Sequence, residues 1–206
     1  MGIRLVVLSW WTPKHIISRE LDHVSDLTTA ALMSLVAVHA PEALVELAKE
    51  QVQLSRTIEE RRSAMAKKHA TLIKVLENAA GRDKAVELGR DALFAVGRNL
   101  GREARDKLGI GDEPRDLTRA ARIFYRVLGI EFGVEWLGDA KANLIVERCA
   151  LSKEYSELTC LVLSATDEGV VRGLNPGASM RFEETMTSGR ARCIAAVEFN
   201  RKGRGR

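Results

Sequence analysis

Apolar residues along this chain follow two periods, and the change between them near Gly129 divides the sequence. From about Ser25 to Tyr125 they recur at threes and fours, the mark of helices with one buried face. Pro41 suits a first helical turn, and Leu44, Leu47, Leu54, Ile58, Met65, Leu72, Val75 and Leu76 carry the stripe on to a stop at Gly81. One long helix is therefore predicted over 41–79. Its middle, RTIEERRSAMAKKH, is so charged that the stripe narrows to Ile58 and Met65, which predicts a segment facing solvent or a second copy of the chain. The next helix, DKAVELGRDALFAVGRNLGREARDKLG, places Gly89, Gly97 and Gly101 at spacings of eight and four. Each glycine costs about 1 kcal/mol relative to alanine inside a helix, so close approach of another backbone, or of a ligand, is the expected compensation. A shorter helix is predicted over about 115–127.

Beyond Gly129 the period shortens to two. Phe132, Val134 and Trp136 alternate, Gly138-Asp139 makes a turn, and Leu144 to Val146 begins a run that ends at Cys149, together a hairpin. KEYSELTCLVLSATDEGVVRG returns to helix and is closed by Gly173, and SMRFEETMTSGRARCIAAVEF supplies a second hairpin turning at Ser188-Gly189. The predicted fold class is α+β: long N-terminal helices over 1–128 packed on a four-stranded antiparallel sheet over 129–200, with strand-strand-helix-strand-strand order, in one compact unit. The last six residues, RKGRGR, lack apolar partners and read as a solvated basic tail.

Composition narrows the function classes. With 206 residues, 46% hydrophobic, the chain can bury a core. LVVLSWW and LTTAALMSLVAV fall short of the ~20 residues that span a bilayer, and the first lacks a signal-peptide cleavage region, so no membrane partner and a cytoplasmic location are expected. Cys149, Cys160 and Cys193 are too few for a secreted disulfide framework, and reduced thiols are the default. A net charge of +4 is mild, and the basic tail has no interleaved aromatics, so nucleic acid is not an expected partner. Abundant Glu, Arg and Lys beside only two Gln point toward a thermophile. The cysteine spacings do not fit a zinc site, and His15, His23, His39 and His69 form no ligand motif, so no metal is expected. There is neither a phosphate-cradling glycine loop nor a Gly-x-Ser-x-Gly elbow, and no cofactor is expected.

The chemistry-bearing residues gather late in the chain. Cys160, Ser164, Asp167 and Val171 are separated by four, three and four, which puts a thiol, a hydroxyl and a carboxylate on one helix face. That face can look into a pocket between helix and sheet, with Cys149 at a strand end and Cys193 on the last hairpin as neighbours. The plainer alternative is that each cysteine is a small core residue.

The run ERCALSKEYSEL, an Asp, GLNP six residues after it, and ETMTSGRARC resemble the C-terminal signature of the L-2-amino-thiazoline-4-carboxylic acid hydrolase family. Arg148 and Cys149, Asp167, Gly173 with Asn175 and Pro176, Thr185, Gly189 and Cys193 fall on matching positions over roughly the last sixty residues. The Gly-Arg-rich helix upstream is similar too. Two positions depart: Ser164 stands where the family has a cysteine, and Leu174 where it has phenylalanine. The strand and helix order is also similar to 4-vinyl-reductase-type ligand-binding domains.

The resemblance implies a small-molecule substrate and water addition to a cyclic amidine at the carbon between nitrogen and sulfur. Asp167 would pair with the protonated amidine. Cys149 and Cys193 would share the catalytic site, and Arg148, Cys160, Ser164, Asn175 and Thr185 would bind substrate. Arg148 could lower the pKa of Cys149 or hold a substrate carboxylate. Two other classes compete: a ligand-binding or thiol redox-sensing module using the same pocket, and an interaction protein that works through helix 41–79 as a homo-oligomer contact.

Overall fold

Two hairpins joined through a helix make the sheet in the computed structural model, which describes residues 3–47 and 57–200. The elements are α1 (Ile3–Trp10), α2 (Lys14–His39), α3 (Ala43–Leu47), α4 (Ile58–Ala80), α5 (Arg82–Leu108), α6 (Pro114–Leu128), β1 (Ile130–Trp136), β2 (Lys141–Cys149), α7 (Glu157–Leu174), β3 (Ala178–Glu184) and β4 (Cys193–Phe199). The strands lie in the order β1-β2-β4-β3, and every pair is antiparallel. The fold class and the element order after Gly129 are those the periods predict.

One face of the sheet carries the core. Alternate residues Ala142, Leu144 and Val146 of β2 and Cys193, Ala195 and Val197 of β4 are buried, as the two-residue pleat requires. Above them pack Ile123 and Tyr125 from α6 and Val170 and Leu174 from α7. α5 lies on α7, and a second cluster joins Leu32 and Val36 of α2, Leu72 and Ile73 of α4, Leu93 of α5 and Val162 of α7. The helices over 3–128 and the sheet thus share α7 as their common wall.

The N-terminal half differs from expectation in three ways. The single helix predicted over 41–79 is two elements, because Thr57 starts a new helix with a capping box: its hydroxyl accepts from Glu60 N at 3.1 Å while the Glu60 carboxylate accepts from Thr57 N at 2.9 Å. Residues 48–56, Leu54 among them, lie outside the described residues, as does the basic tail from 201. The charged stretch that follows has two faces: Glu59, Glu60, Lys67 and Lys68 are exposed, while Met65, Ala66, His69 and Leu72 are buried and Arg61 pairs with Asp22 of α2. Finally, helix begins at Ile3, well before Ser25. α2 is long and apolar enough by length and composition to cross a membrane, yet Leu21, Thr28, Leu32 and Val36 are buried within the protein.

Candidate functional site

α7 is held by backbone against backbone. A Cβ at Gly97 would be driven into the Thr166 carbonyl oxygen and one at Gly101 into that of Val170, while from α7 Gly169 meets the Phe94 carbonyl and Gly173 that of Arg98. The expected compensation for helical glycines is therefore another backbone, and it is reciprocal. Gly173 is part of this seam rather than the stop, and α7 runs one residue further to Leu174.

The three thiols come from three elements. Ile130 pairs with Cys149 and Glu131 with Arg148, but Phe132 pairs with Val146, so β2 is bulged at Glu147. Strict alternation would send Cys149 to the face opposite Val146. The extra residue restores it to the core side, where it packs against the cluster of Leu21, Met65, Ala66, Val127 and Leu151. Cys193 faces Val146 across the β2–β4 pair, which puts its Cα roughly 11 Å from that of Cys149 at about 3.3 Å per residue along the strand. Cys160, from the first turns of α7, is held by the Thr187 hydroxyl, and the Cys193 sulfur accepts from Met186 N at 3.3 Å.

All three are free thiols. Burial pushes Cys149 up to about 11, outweighing the Leu151 and Ser152 amides that donate to its sulfur, and it raises Cys160 and Cys193 as well. These thiols are neutral at pH 7. Arg148 does not relieve this: its guanidinium sits on the outer face, 76% exposed and paired with Glu131 at 3.2 Å.

Asp167 borders a cavity of about 370 Å³ whose walls include Leu100, Phe124, Leu144, Val171 and Met180, and none of the three cysteines lines it. Its carboxylate forms no hydrogen bond or ion pair among the described residues. Burial, with a smaller contribution from Glu168, lifts its pKa to about 7, and its charge is felt by Tyr125, Tyr155 and all three thiols. Thr166 also lines the cavity, with its hydroxyl buried and unpartnered. Charged side chains, Arg4, Arg19, Glu20, Glu103 and Lys107, border the space on the α1, α2 and α5 side.

Sequence reasoning missed a buried polar chain that reaches the same region. Thr28 donates to Val24 O at 2.7 Å, so its oxygen is the acceptor at 2.9 Å from His69 Nε2, and that ring nitrogen carries the proton. Burial, aided by Lys68, lowers His69 to about 4, so the ring is neutral and its Nδ1 accepts from the Tyr155 hydroxyl at 2.9 Å. The proton of Tyr155 is thus committed to His69, and Cys149 packs against the same hydrophobic cluster as Tyr155. Nothing in the local sequence around His69 announces this, because its partners are 41 and 86 residues away.

The other predicted residues have local duties. The Ser164 hydroxyl bonds Leu161 O at 2.8 Å and accepts from Arg90 Nη1 at 3.1 Å, so it is turned toward α5 and lies outside the cavity wall. Asn175 ties Asp112 O to Gly177 N and fixes the exit of α7. Thr185 bonds Thr187 and Ser188 in the 3₁₀ turn Met186–Ser188.

Residues 59–195, about two thirds of the chain, match the family described as L-2-amino-thiazoline-4-carboxylic acid hydrolase. The chain belongs to that family. No curated protein is recognisably similar in sequence. Among solved structures, the family fold seen here resembles a trafficking protein particle complex subunit 3 from Naegleria fowleri covalently bound to palmitic acid, at 12% identity and TM-score 0.52 over 70% of this chain and 98% of that one. It also resembles the phenol-responsive sensory domain of the transcription activator PoxR with phenol, at 13% identity and TM-score 0.50 over 75% of this chain and 80% of that one. At such identities the likeness is one of fold.

Proposed function

We propose that this chain binds a small cyclic amidine of the aminothiazoline carboxylate type and opens its ring with water. The observation that carries the reading is Asp167: an unpaired carboxylate with a pKa raised to about 7, bordering a largely apolar cavity. A bound amidinium supplies the missing counter-charge. A carboxyl group poised near neutrality can also take a proton from water as its oxygen bonds to the carbon between nitrogen and sulfur, and return it to the sulfur as the carbon–sulfur bond breaks. The products carry a urea-like group and a free thiol, and atoms balance as substrate plus one water. The protein thiols are neutral and none of the three lines this cavity, so the attacking group in this reading is water.

A second reading, ligand binding without turnover, is favoured by the apolar walls of the cavity and by the two structural neighbours, one holding phenol and one palmitic acid. Thiol release from aminothiazoline carboxylate separates the two. Wild type should release thiol, and Asp167→Asn should lose at least about 100-fold in turnover while keeping its fold. Ser164→Cys should turn over much as wild type does, because position 164 faces Arg90 and lies outside the cavity wall. No thiol above background from wild type and Ser164→Cys, with tight binding of a small apolar or acidic ligand, would establish the binding reading instead.

A further inference from the structure

Cys149 is approached from a second side, by a cleft of about 650 Å³ between the end of α6, the start of β1 and the turn after β2. That volume lies within the ~300–1,000 Å³ typical of small-molecule sites. Five cations line it, Arg62, Arg122, Arg126, Arg148 and Lys153, against one carboxylate, Glu131.

The deepest of these is built in. The Arg62 side chain is only 11% exposed, and it donates through Nε to Val127 O at 2.9 Å and through Nη2 to Arg126 O at 2.6 Å, the last carbonyls of α6. Its Nη1 is left for the cleft, with Glu59 at 3.8 Å as the nearest carboxylate. Gly129 makes room for it: the residue has φ 72°, and a Cβ there would stand 2.8 Å from Arg62 Nη1. Among the described residues, Arg126 bonds neutral acceptors only, the carbonyls of Leu8 and Ser9 and the hydroxyl of Thr12. Arg122 and Lys153 form no ion pair among the described residues. Glu131 is already engaged by Arg148. Positive charge therefore exceeds what the protein itself neutralises, in a concave space whose floor is a fixed guanidinium.

We propose that this cleft is a binding site for a small organic anion, a molecule bearing a carboxylate or a phosphate, and that it presents its ligand to the Cys149 sulfur. Guanidinium groups match the planar, two-oxygen face of such anions, and lysine adds a point charge. The Cys149 sulfur, neutral and already accepting amide hydrogens from Leu151 and Ser152, does not repel them. This site goes beyond the ring-opening reading and does not rest on it.

Alkylation of the whole protein with iodoacetate and with iodoacetamide tests it, followed at each cysteine by peptide mass spectrometry. Both reagents form the same sulfur–carbon bond and release iodide and the thiol proton, but only iodoacetate is an anion. The ratio of iodoacetate to iodoacetamide rates at Cys149 should exceed that at Cys160 by about tenfold, and inorganic phosphate should slow the iodoacetate reaction at Cys149 by competition. Arg122→Glu/Lys153→Glu, both at exposed positions, should abolish the preference. Lys74→Glu/Lys84→Glu, which reverses the same number of charges in exposed ion pairs elsewhere, should retain it. Equal ratios at Cys149 and Cys160, a Cys149 inert to both reagents, or equal loss in the two double variants would overturn the proposal.

Discussion

The two sides of α7 are opposites. Toward α5, Gly169 and Gly173 bring bare backbone against Gly97 and Gly101, with Gly89 admitting Val162. On another side, the same helix presents an unpaired carboxylate and a buried unpartnered hydroxyl to a cavity bordered by α1, α2, α5 and α6. Unsatisfied polar groups cost stability, and they persist only where surrounding structure holds them in place. The seam supplies that hold. Tight packing on one side of a helix is what makes an unfavourable constellation tolerable on the other.

Three experiments press on this contrast. Gly97→Ala and Gly169→Ala should each destabilise the fold by ~3 kcal/mol or more, read as a fall in denaturation midpoint, because each new Cβ meets a carbonyl that cannot turn aside. A loss under ~1 kcal/mol would mean the seam is loose and does not position α7.

The next effect belongs to the polar side. His69 has its folded pKa lowered from 6.5 to about 4, so between those values the unfolded chain binds a proton that the folded one does not. Stability should fall by up to about 3 kcal/mol as pH drops through that window. In His69→Gln this loss should vanish, whatever the baseline stability of the variant; an unchanged acid slope would show that the ring is not buried neutral.

Asp167 acts with the opposite sign. Its folded pKa is raised from 3.8 to about 7, so the folded state holds the extra proton and stability falls as pH rises through that interval. Above pH 7 the buried charge costs about 4 kcal/mol, and Asp167→Asn, which leaves an amide without a partner, should recover a net ~2 kcal/mol at pH 8.5 and little at pH 4. A variant that gains stability and loses turnover marks a group kept for function. Destabilisation at pH 8.5 would instead make Asp167 an ordinary structural acid.

Period carried much of this architecture. α5, α6, α7 and both hairpins stand in the sequence because each buries one face against something of matching repeat. Where the period misled, a local device overrode it. Thr57 and Glu60 cap a new helix inside an unbroken stripe, since two consecutive helices can share a phase. Gly173 sits where helix stops are usual, but its reason lies in α5, seventy residues earlier in the chain. The grouping of the cysteines with Asp167 was not met, for none of them lines the cavity that Asp167 borders. Within the site, Asp167 was legible through a resemblance and through helical spacing. The bulge at Glu147, which sends Arg148 outward and Cys149 inward, was not, for strict alternation from Val146 predicts the reverse. Nor was His69, whose role exists only once α2, α4 and the segment before α7 are brought together.

A joint made of backbone has no rotamers to exchange, and so α5 and α7 can neither slide nor roll on each other without parting. The far boundary of the cavity is different. α1 and α2 border it through side chains, and α1 is fastened to α6 by the guanidinium of Arg126 reaching Leu8, Ser9 and Thr12. Such contacts can break and remake on the microsecond scale of collective helix motion. The boundary of the cavity that side-chain rotation can loosen is therefore the N-terminal one, about a hundred and fifty residues away in sequence from Asp167.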